Sequence, residues 1–284
     1  MKRILTLSID VEDWYHLPYL CEVKRNSSNS VLDGLDFFIS ICDKFGIAAS
    51  FFVVGELLEK HIELFRLLAQ RGHDVGYHTM YHKRPMDMSE DEFRQDLIRG
   101  KELLSEVGMT RYIFRAPLFG IDNFMHRVLG EEGYSIDSSY INFDRHPKYG
   151  RMSAEEWLKL DKDIYWDKDR DIYEFGFQLS RSKWLHYPLS GGAYFRFLPW
   201  VLLKSGLTNV FKSKEYLNFY IHPFELSCAK FSLKGASYVE RFRFYFGRKM
   251  ARIRLVKLIQ LAMERKYSFT TYTNLYEEYS SHRS

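Results

Sequence analysis

The sequence predicts an α/β fold built on a parallel sheet, closed as a barrel or doubly wound. Three observations point there. Short apolar, β-branched strand signals alternate with amphipathic helix signals over the first half of the chain. The β-α units recur at about 25–40 residues, the length a right-handed crossover needs. Acidic residues or histidines stand just after several strands, at the edge where parallel sheets collect their active sites.

Ile4–Ile9 is an apolar run ending in acidic side chains, as a buried parallel strand does. Val31–Phe45 sets Val31, Leu35, Phe38, Ile39, Cys42 and Phe45 on one helical face, and Gly46 stops it. Ala48–Val54 reads as a second strand, Leu57–Arg71 as a helix closed by Gly72, and His73–Tyr77 as a third strand. Ser89 followed by Glu92 is a capping box opening a helix that ends at Gly108. Tyr112–Phe114 is a strand, Asp122–Glu132 a helix ended by Gly133, and Tyr134–Ile136 a strand. Residues 142–182 are charged and without period, and are expected to form an insertion over the active-site rim. Trp184–Leu189 and Tyr216–Ile221 resume the strand pattern, followed by a helix over Val239–Arg265 and a strand at Ser268–Tyr272. Nothing reads as a linker, so residues 1–284 are expected to form one domain, with residues 239–284 (helix, strand, helix) completing it.

At 284 residues the chain buries a core without needing disulfides. The three cysteines, Cys21, Cys42 and Cys228, have neither disulfide nor zinc-knuckle spacing, and suit thiols in a reducing compartment. No signal peptide or spanning segment is read, so a soluble cytoplasmic protein is expected. Net charge is +4, with a basic cluster from Arg241 to Lys257. That cluster suits a solvated helix face, or transient contact with a membrane surface carrying a lipid-linked substrate. No basic-aromatic stripe marks a nucleic-acid surface, and no required protein partner is evident.

Asp10, Glu12 and Asp13 follow the first strand, His78 and His82 the third, Arg115 the fourth, Asp137 the fifth, and His222 a late one. Two histidines four apart can share one metal ion if they lie on one side of a helical turn. With one carboxylate they leave positions open for water and substrate, as a catalytic rather than structural ion requires. Such an ion lowers the pKa of its water towards ~7. An amide also needs a base for the water proton and an acid for the leaving nitrogen. A carboxylate of the first cluster supplies the base, and His222 is the natural acid.

The sequence resembles the polysaccharide deacetylase (NodB-homology, carbohydrate esterase 4) family, and more closely a branch found in exopolysaccharide loci. The matching stretches are Ile9-Asp10-Val11-Glu12-Asp13-Trp14, Gly72 to His82, Phe114-Arg115-Ala116-Pro117, Ser135-Ile136-Asp137-Ser138-Ser139, and Tyr220-Ile221-His222-Pro223-Phe224-Glu225. Pro188 to Arg196 and Arg241-Phe242-Arg243-Phe244-Tyr245 are similar to further stretches of that branch. The resemblance implies a distorted (β/α) barrel of about seven strands and a divalent metal, usually zinc, with cobalt, nickel, manganese or iron as substitutes. It implies that Asp10 is the base, His78 and His82 are metal ligands, and Arg115 orients the base. His222 is then the acid, with its pKa raised by Asp137, and a backbone N–H just after Pro117 meets the oxyanion. The third ligand is Asp13, which keeps the usual side chain, or Glu12, which keeps an Asp-x-Asp register. Substrate contacts fall to Trp14, Pro117, Leu118, Gly191, Gly192 and Arg196. Leu118 stands where many members carry Tyr, and Tyr140 where a Trp is common.

The implied reaction is removal of an N-acetyl group from an acetamido sugar, in a polysaccharide or a carrier-linked precursor. Three other readings compete with it. Opening of a small cyclic amide uses the same chemistry. A metal-dependent glycosyltransferase would use Asp10 to Asp13 but leaves His78, His82 and Arg115 without a role. A non-catalytic glycan-binding module would not need the full set of reactive side chains.

Overall fold

The computed structural model describes residues 3–20, 22–26, 28–142, 150–179, 189–213 and 216–281. Most of the expected strand at Trp184–Leu189, together with Cys21 and Pro188, lies outside them.

Strand β1 (Ile4–Val11) is buried along its whole length. Its alternation is chemical rather than apolar against polar exposure. Leu5, Leu7, Ile9 and Val11 point into the large cluster that packs the sheet against its helices. Thr6, Ser8 and Asp10 point the other way, into the middle of the sheet's curve. On one side β1 pairs with β9 (Leu217–Ile221), on the other with β2 (Ser50–Val53) and, near its start, β10 (Ser268–Thr270), all in parallel. The parallel path continues through β3 (Asp74–Tyr77), β4 (Ile113–Phe114), β5 (Ile136–Asp137) and β8 (Ile172–Phe175). Strands β9, β1, β2, β3, β4, β5 and β8 give a curved run of seven, as expected for a distorted barrel.

The ring lacks a backbone ladder between β8 and β9 among the described residues. Asn218 of β9 spans that seam with its side-chain amide, donating to Phe175 O at 2.8 Å. Its backbone N–H donates to Gln178 Oε1 at 2.7 Å.

Helices α1 (Asp33–Phe45), α4 (Glu90–Val107) and α5 (Asn123–Glu131) fall where the periodicity predicts, and Ser89 caps α4 as a capping box. Gly46 and Gly108 end α1 and α4 in the left-handed region. Two expected single helices are broken. Leu57–Arg71 becomes α2 (Gly55–Lys60) and α3 (Ile62–Gln70), parted at His61. Val239–Arg265 becomes α9 (Tyr238–Tyr245) and α10 (Arg248–Glu264), parted at Gly247, whose φ is 76°. Helices α6 (Gly192–Phe197), α7 (Trp200–Ser213) and α8 (Pro223–Leu226) flank β9, and α11 (Tyr272–Ser281) follows β10.

Of the rim insertion expected at residues 142–182, the structure describes residues 142 and 150–179. They contain β6 (Leu158–Asp161) and β7 (Ile164–Asp167), an antiparallel pair that delivers β8 into the parallel ring. The charged runs are the turns of this meander, where Asp163 and Asp171 take positive φ. No described helix is long and apolar enough to cross a membrane.

Candidate active site

The C-terminal ends of β1, β3, β4 and β9 converge on a cavity of about 250 Å3 lined by Asp10, Glu12, His78, His82, Ala116, Leu118, Arg196 and His222, among others. Local alternation explains which acids reach it. Glu12 continues the inward register of Ser8 and Asp10, whereas Asp13 falls on the opposite side.

Asp13 is committed elsewhere. Its Oδ1 accepts from the Trp14 and Val31 N–H groups at 2.7 and 2.9 Å, and its Oδ2 accepts from Ser30 Oγ at 2.7 Å. It caps the short 3-10 turn at Trp14–His16. The expectation that Asp13 joins the histidines is corrected by this geometry; Glu12 faces them. Glu12 Oε2 lies 2.9 Å from His82 Nε2 and Glu12 Oε1 lies 3.9 Å from His222 Nε2.

The His78–His82 segment is a turn rather than a helix, with Thr79 and His82 at φ of 55° and 58°. The left-handed His82 backbone is costly for a residue with a Cβ, and here it swings the second ring beside the first. The ring centroids are 5.0 Å apart. His78 Nδ1 lies 2.7 Å from Arg115 O, and His82 Nδ1 lies 3.0 Å from His16 O. A carbonyl only accepts, so each Nδ1 carries the proton and each Nε2 offers a lone pair. Burial, outweighing the nearby Asp10, lowers the His78 pKa to about 3, so that ring is neutral at physiological pH. Burial would raise the Glu12 value, but His82 and His222 outweigh it and hold the carboxyl at about 2. Glu12 Oε2 is buried without a hydrogen bond. A carboxylate oxygen 2.9 Å from one imidazole Nε2, with a second imidazole ring 5.0 Å from the first, is a donor set whose chemistry fits a divalent cation.

Arg115 is fully buried and stacked over Phe52 with its central carbon 3.8 Å from the ring centre. It donates to Asp10 Oδ1, to Ser8 Oγ at 2.9 Å, to Ser138 O at 3.0 Å and to Tyr272 OH at 2.7 Å. One Asp10 oxygen is thereby fixed. The other, Oδ2, faces His222 Nε2 at 4.0 Å.

His222 pairs with Glu225 rather than with Asp137. Its Nδ1 is 2.9 Å from Glu225 Oε2, and the Glu225 Oε1 accepts from Arg196 Nε at 2.9 Å. Arg196 is anchored by the Arg243 and Phe246 carbonyls at 3.0 and 2.8 Å. Burial by itself would lower the His222 pKa; Glu12, Glu225 and Asp10 together raise it to about 9. Asp137 sits one strand further round, facing His126 and Glu174. The His-Pro-Phe-Glu spacing, a capping box closed by Glu225, is the sequence signal that could have found this partner.

The expected substrate contacts divide. Leu118 and Arg196 line the cavity, with Leu118 at φ 54°. Trp14 does not; it is buried in a separate apolar cluster and donates its indole N–H to Asn29 O at 3.0 Å. Pro117 is buried at the start of a 3-10 turn. Gly191 and Gly192 are packing residues: a Cβ on Gly191 would meet Tyr220 O at 1.7 Å. Tyr19, Phe119, Phe197, Tyr220 and Phe224 supply aromatic walls that local sequence did not single out.

Residues 34–136 match the polysaccharide deacetylase family model. Residues 138–277 match a domain of unknown function (DUF3473). The site draws on both segments, His78, His82 and Arg115 from the first and Arg196, His222 and Glu225 from the second. Asp10 and Glu12 precede both. The peptidoglycan deacetylase of Helicobacter pylori is 26% identical over 129 residues, 45% of this chain and 44% of that protein. The chain thus spans less than half the length of this curated relative. Among solved structures, a Mycobacterium smegmatis protein assigned to the polysaccharide deacetylases is 20% identical with a TM-score of 0.58, covering 98% of this chain and 91% of that one. An allantoinase is 14% identical with a TM-score of 0.60, covering 99% and 91%. At these identities the structures show the fold alone. The sequence likeness to the polysaccharide deacetylase family covers residues 34–136.

Proposed function

We propose that the chain is a metal-dependent hydrolase that removes the N-acetyl group of an acetamido sugar in a polysaccharide or a carrier-linked glycan. One observation carries this reading: Asp10, Glu12, His78, His82 and His222 converge on one aromatic-walled cavity, with His78 and His82 each oriented through Nδ1. A divalent cation, zinc by preference for this donor set, would be held by Glu12, His78 and His82 and would polarise the amide carbonyl and acidify a water. Asp10, with one oxygen pinned by Arg115, keeps Oδ2 to take the water proton. His222, protonated at neutral pH and held by Glu225, delivers a proton to the leaving nitrogen from the other side. The Leu118 backbone N–H, just after Pro117, is the donor proposed for the oxyanion. Aromatic faces along the cavity suit the apolar face of a sugar ring better than a small cyclic amide.

The test is acetate release from acetamido-sugar oligosaccharides and carrier-linked acetamido sugars, before and after chelation and zinc return. Loss with chelator and recovery with zinc are expected, and Asp10→Asn should lower kcat by roughly 10²–10⁴-fold. Full activity in chelator, or in Asp10→Asn, would overturn the assignment.

A further inference from the structure

A second group of metal-ligating side chains lies outside this cavity, between α5, β5 and β8. His126, Asp137 and Glu174 each present one donor atom, and these atoms all lie within 4.8 Å of one another. His126 Nε2 is 3.9 Å from Asp137 Oδ2 and 3.8 Å from Glu174 Oε2. The three residues are 1%, 0% and 0% exposed.

Register makes the two carboxyls neighbours: Asp137 and Glu174 are directly paired residues on adjacent parallel strands. Two buried carboxylates side by side repel strongly unless a positive group intervenes. Each has one oxygen satisfied. Asp137 Oδ1 accepts from Ser138 N–H at 2.8 Å and Ser139 Oγ, while Glu174 Oε1 accepts from the Ser139 and Tyr140 N–H groups at 3.0 and 2.8 Å. The other oxygens, Asp137 Oδ2 and Glu174 Oε2, are buried without a hydrogen bond, and so is His126 Nε2. These three atoms face one another across a space of less than 4.8 Å. Among the described residues, His126 is the ion-pair neighbour of both carboxyls.

We propose that His126, Asp137 and Glu174 form a second, structural divalent-cation site. Three ligands about 2.1 Å from one ion in tetrahedral array stand about 3.4 Å apart, so the His126 contacts at 3.9 and 3.8 Å need a contraction of roughly half an ångström. One imidazole with two carboxylates is a nitrogen and oxygen donor set suited to zinc, manganese or iron. Asp167 Oδ2 lies 3.7 Å from His126 Nδ1, on the far side of the ring, where a carboxylate favours the tautomer that leaves Nε2 free for the ion. Trp157 stacks over the imidazole at 4.6 Å and shields it from water. The ion would fix the end of β5, whose next residue, Ser138, holds Arg115 through both its carbonyl and its hydroxyl. The rival account is a single proton shared by the two carboxyls.

The test uses the full chain with its first site disabled by Glu12→Gln and His82→Ala, so that failure of the proposed hydrolase leaves it informative. Zinc titration of the metal-free protein, read by calorimetry and by elemental analysis after dialysis, should give one ion per chain and a rise in Tm. Adding His126→Ala should weaken that binding at least about 100-fold. Adding Glu174→Gln should do the same. No zinc bound in the background protein overturns the proposal in favour of the shared proton. Zinc bound with unchanged affinity after His126→Ala and Glu174→Gln also overturns it.

Discussion

At the scale of single residues, adjacent acids divide the work because a strand points them to opposite sides. Glu12 shares the inward face with Asp10, and Asp13 turns back to cap the following turn. Two substitutions separate their roles. Glu12→Gln should weaken zinc binding at the first site at least about 100-fold while leaving the fold intact. Asp13→Ala should cost about 1–2 kcal/mol of stability through its lost cap and loop contacts, with zinc affinity within a few-fold of the parent. Zinc titration and urea unfolding of both variants check this, and the reverse pattern would return Asp13 to the metal. His222 offers a pH test. Its pKa is raised to about 9 chiefly against the pull of burial by Glu12 and Glu225, so the protonated acid is present below that value and lost above it. A bound dication lowers the value in parent and variant alike. Glu225→Gln removes a raising carboxylate, so the alkaline limb of kcat/KM should move to lower pH, whereas an unmoved limb would deny Glu225 its part.

At the scale of elements, the legible parts of the fold are those whose signal is local. Strand ends, the Ser89 capping box and the glycine stops of α1 and α4 were all readable, because caps and periodicity act within a few residues. Strand β8 was not, because a charged meander hides a buried strand whose partner, β5, lies 37 residues earlier by register. The partner of His222 was expected, from the family resemblance, to be Asp137, and only the order of strands round the ring shows that Asp137 faces Glu174. Yet the Asp13 question was open to local reasoning, since alternation carried one residue past β1 groups Asp10 with Glu12. Gly191 shows how an element's seating can depend on one missing side chain. It sits at φ 121° against Tyr220 of β9, with no room for a Cβ beside the carbonyl. Gly191→Ala should therefore destabilise by about 2–4 kcal/mol in urea unfolding, and a change under about 1 kcal/mol would show that the contact relaxes easily.

At the scale of the whole molecule, side chains bridge the seam between β8 and β9 among the described residues, and the same side chains support Arg115. Asn218 donates across the seam to Phe175 O and to Ser138 Oγ at 2.8 and 3.0 Å, and accepts from Tyr272 OH at 2.6 Å. Ser138 and Tyr272 are two of the groups that hold Arg115, which in turn fixes Asp10. The interior of the curve is thus a polar network running from the seam to the site, satisfied by partners on β1, β8, β9 and α11 and by Arg115 and Ser138 just after β4 and β5. A network of this kind is stabilising only while every member is paired. Asn218→Ala should leave Ser138, Tyr272 and the Phe175 carbonyl short of partners in a dry interior, costing about 2–4 kcal/mol by the usual penalty for unpaired buried polar groups. It should also lower kcat more than it raises KM, because Arg115 loses its lateral support while the cavity walls are untouched. Urea unfolding and steady-state acetate release on the same preparation separate the two effects. A large stability loss with unchanged kcat would mean that the seam closes the ring without steadying Asp10.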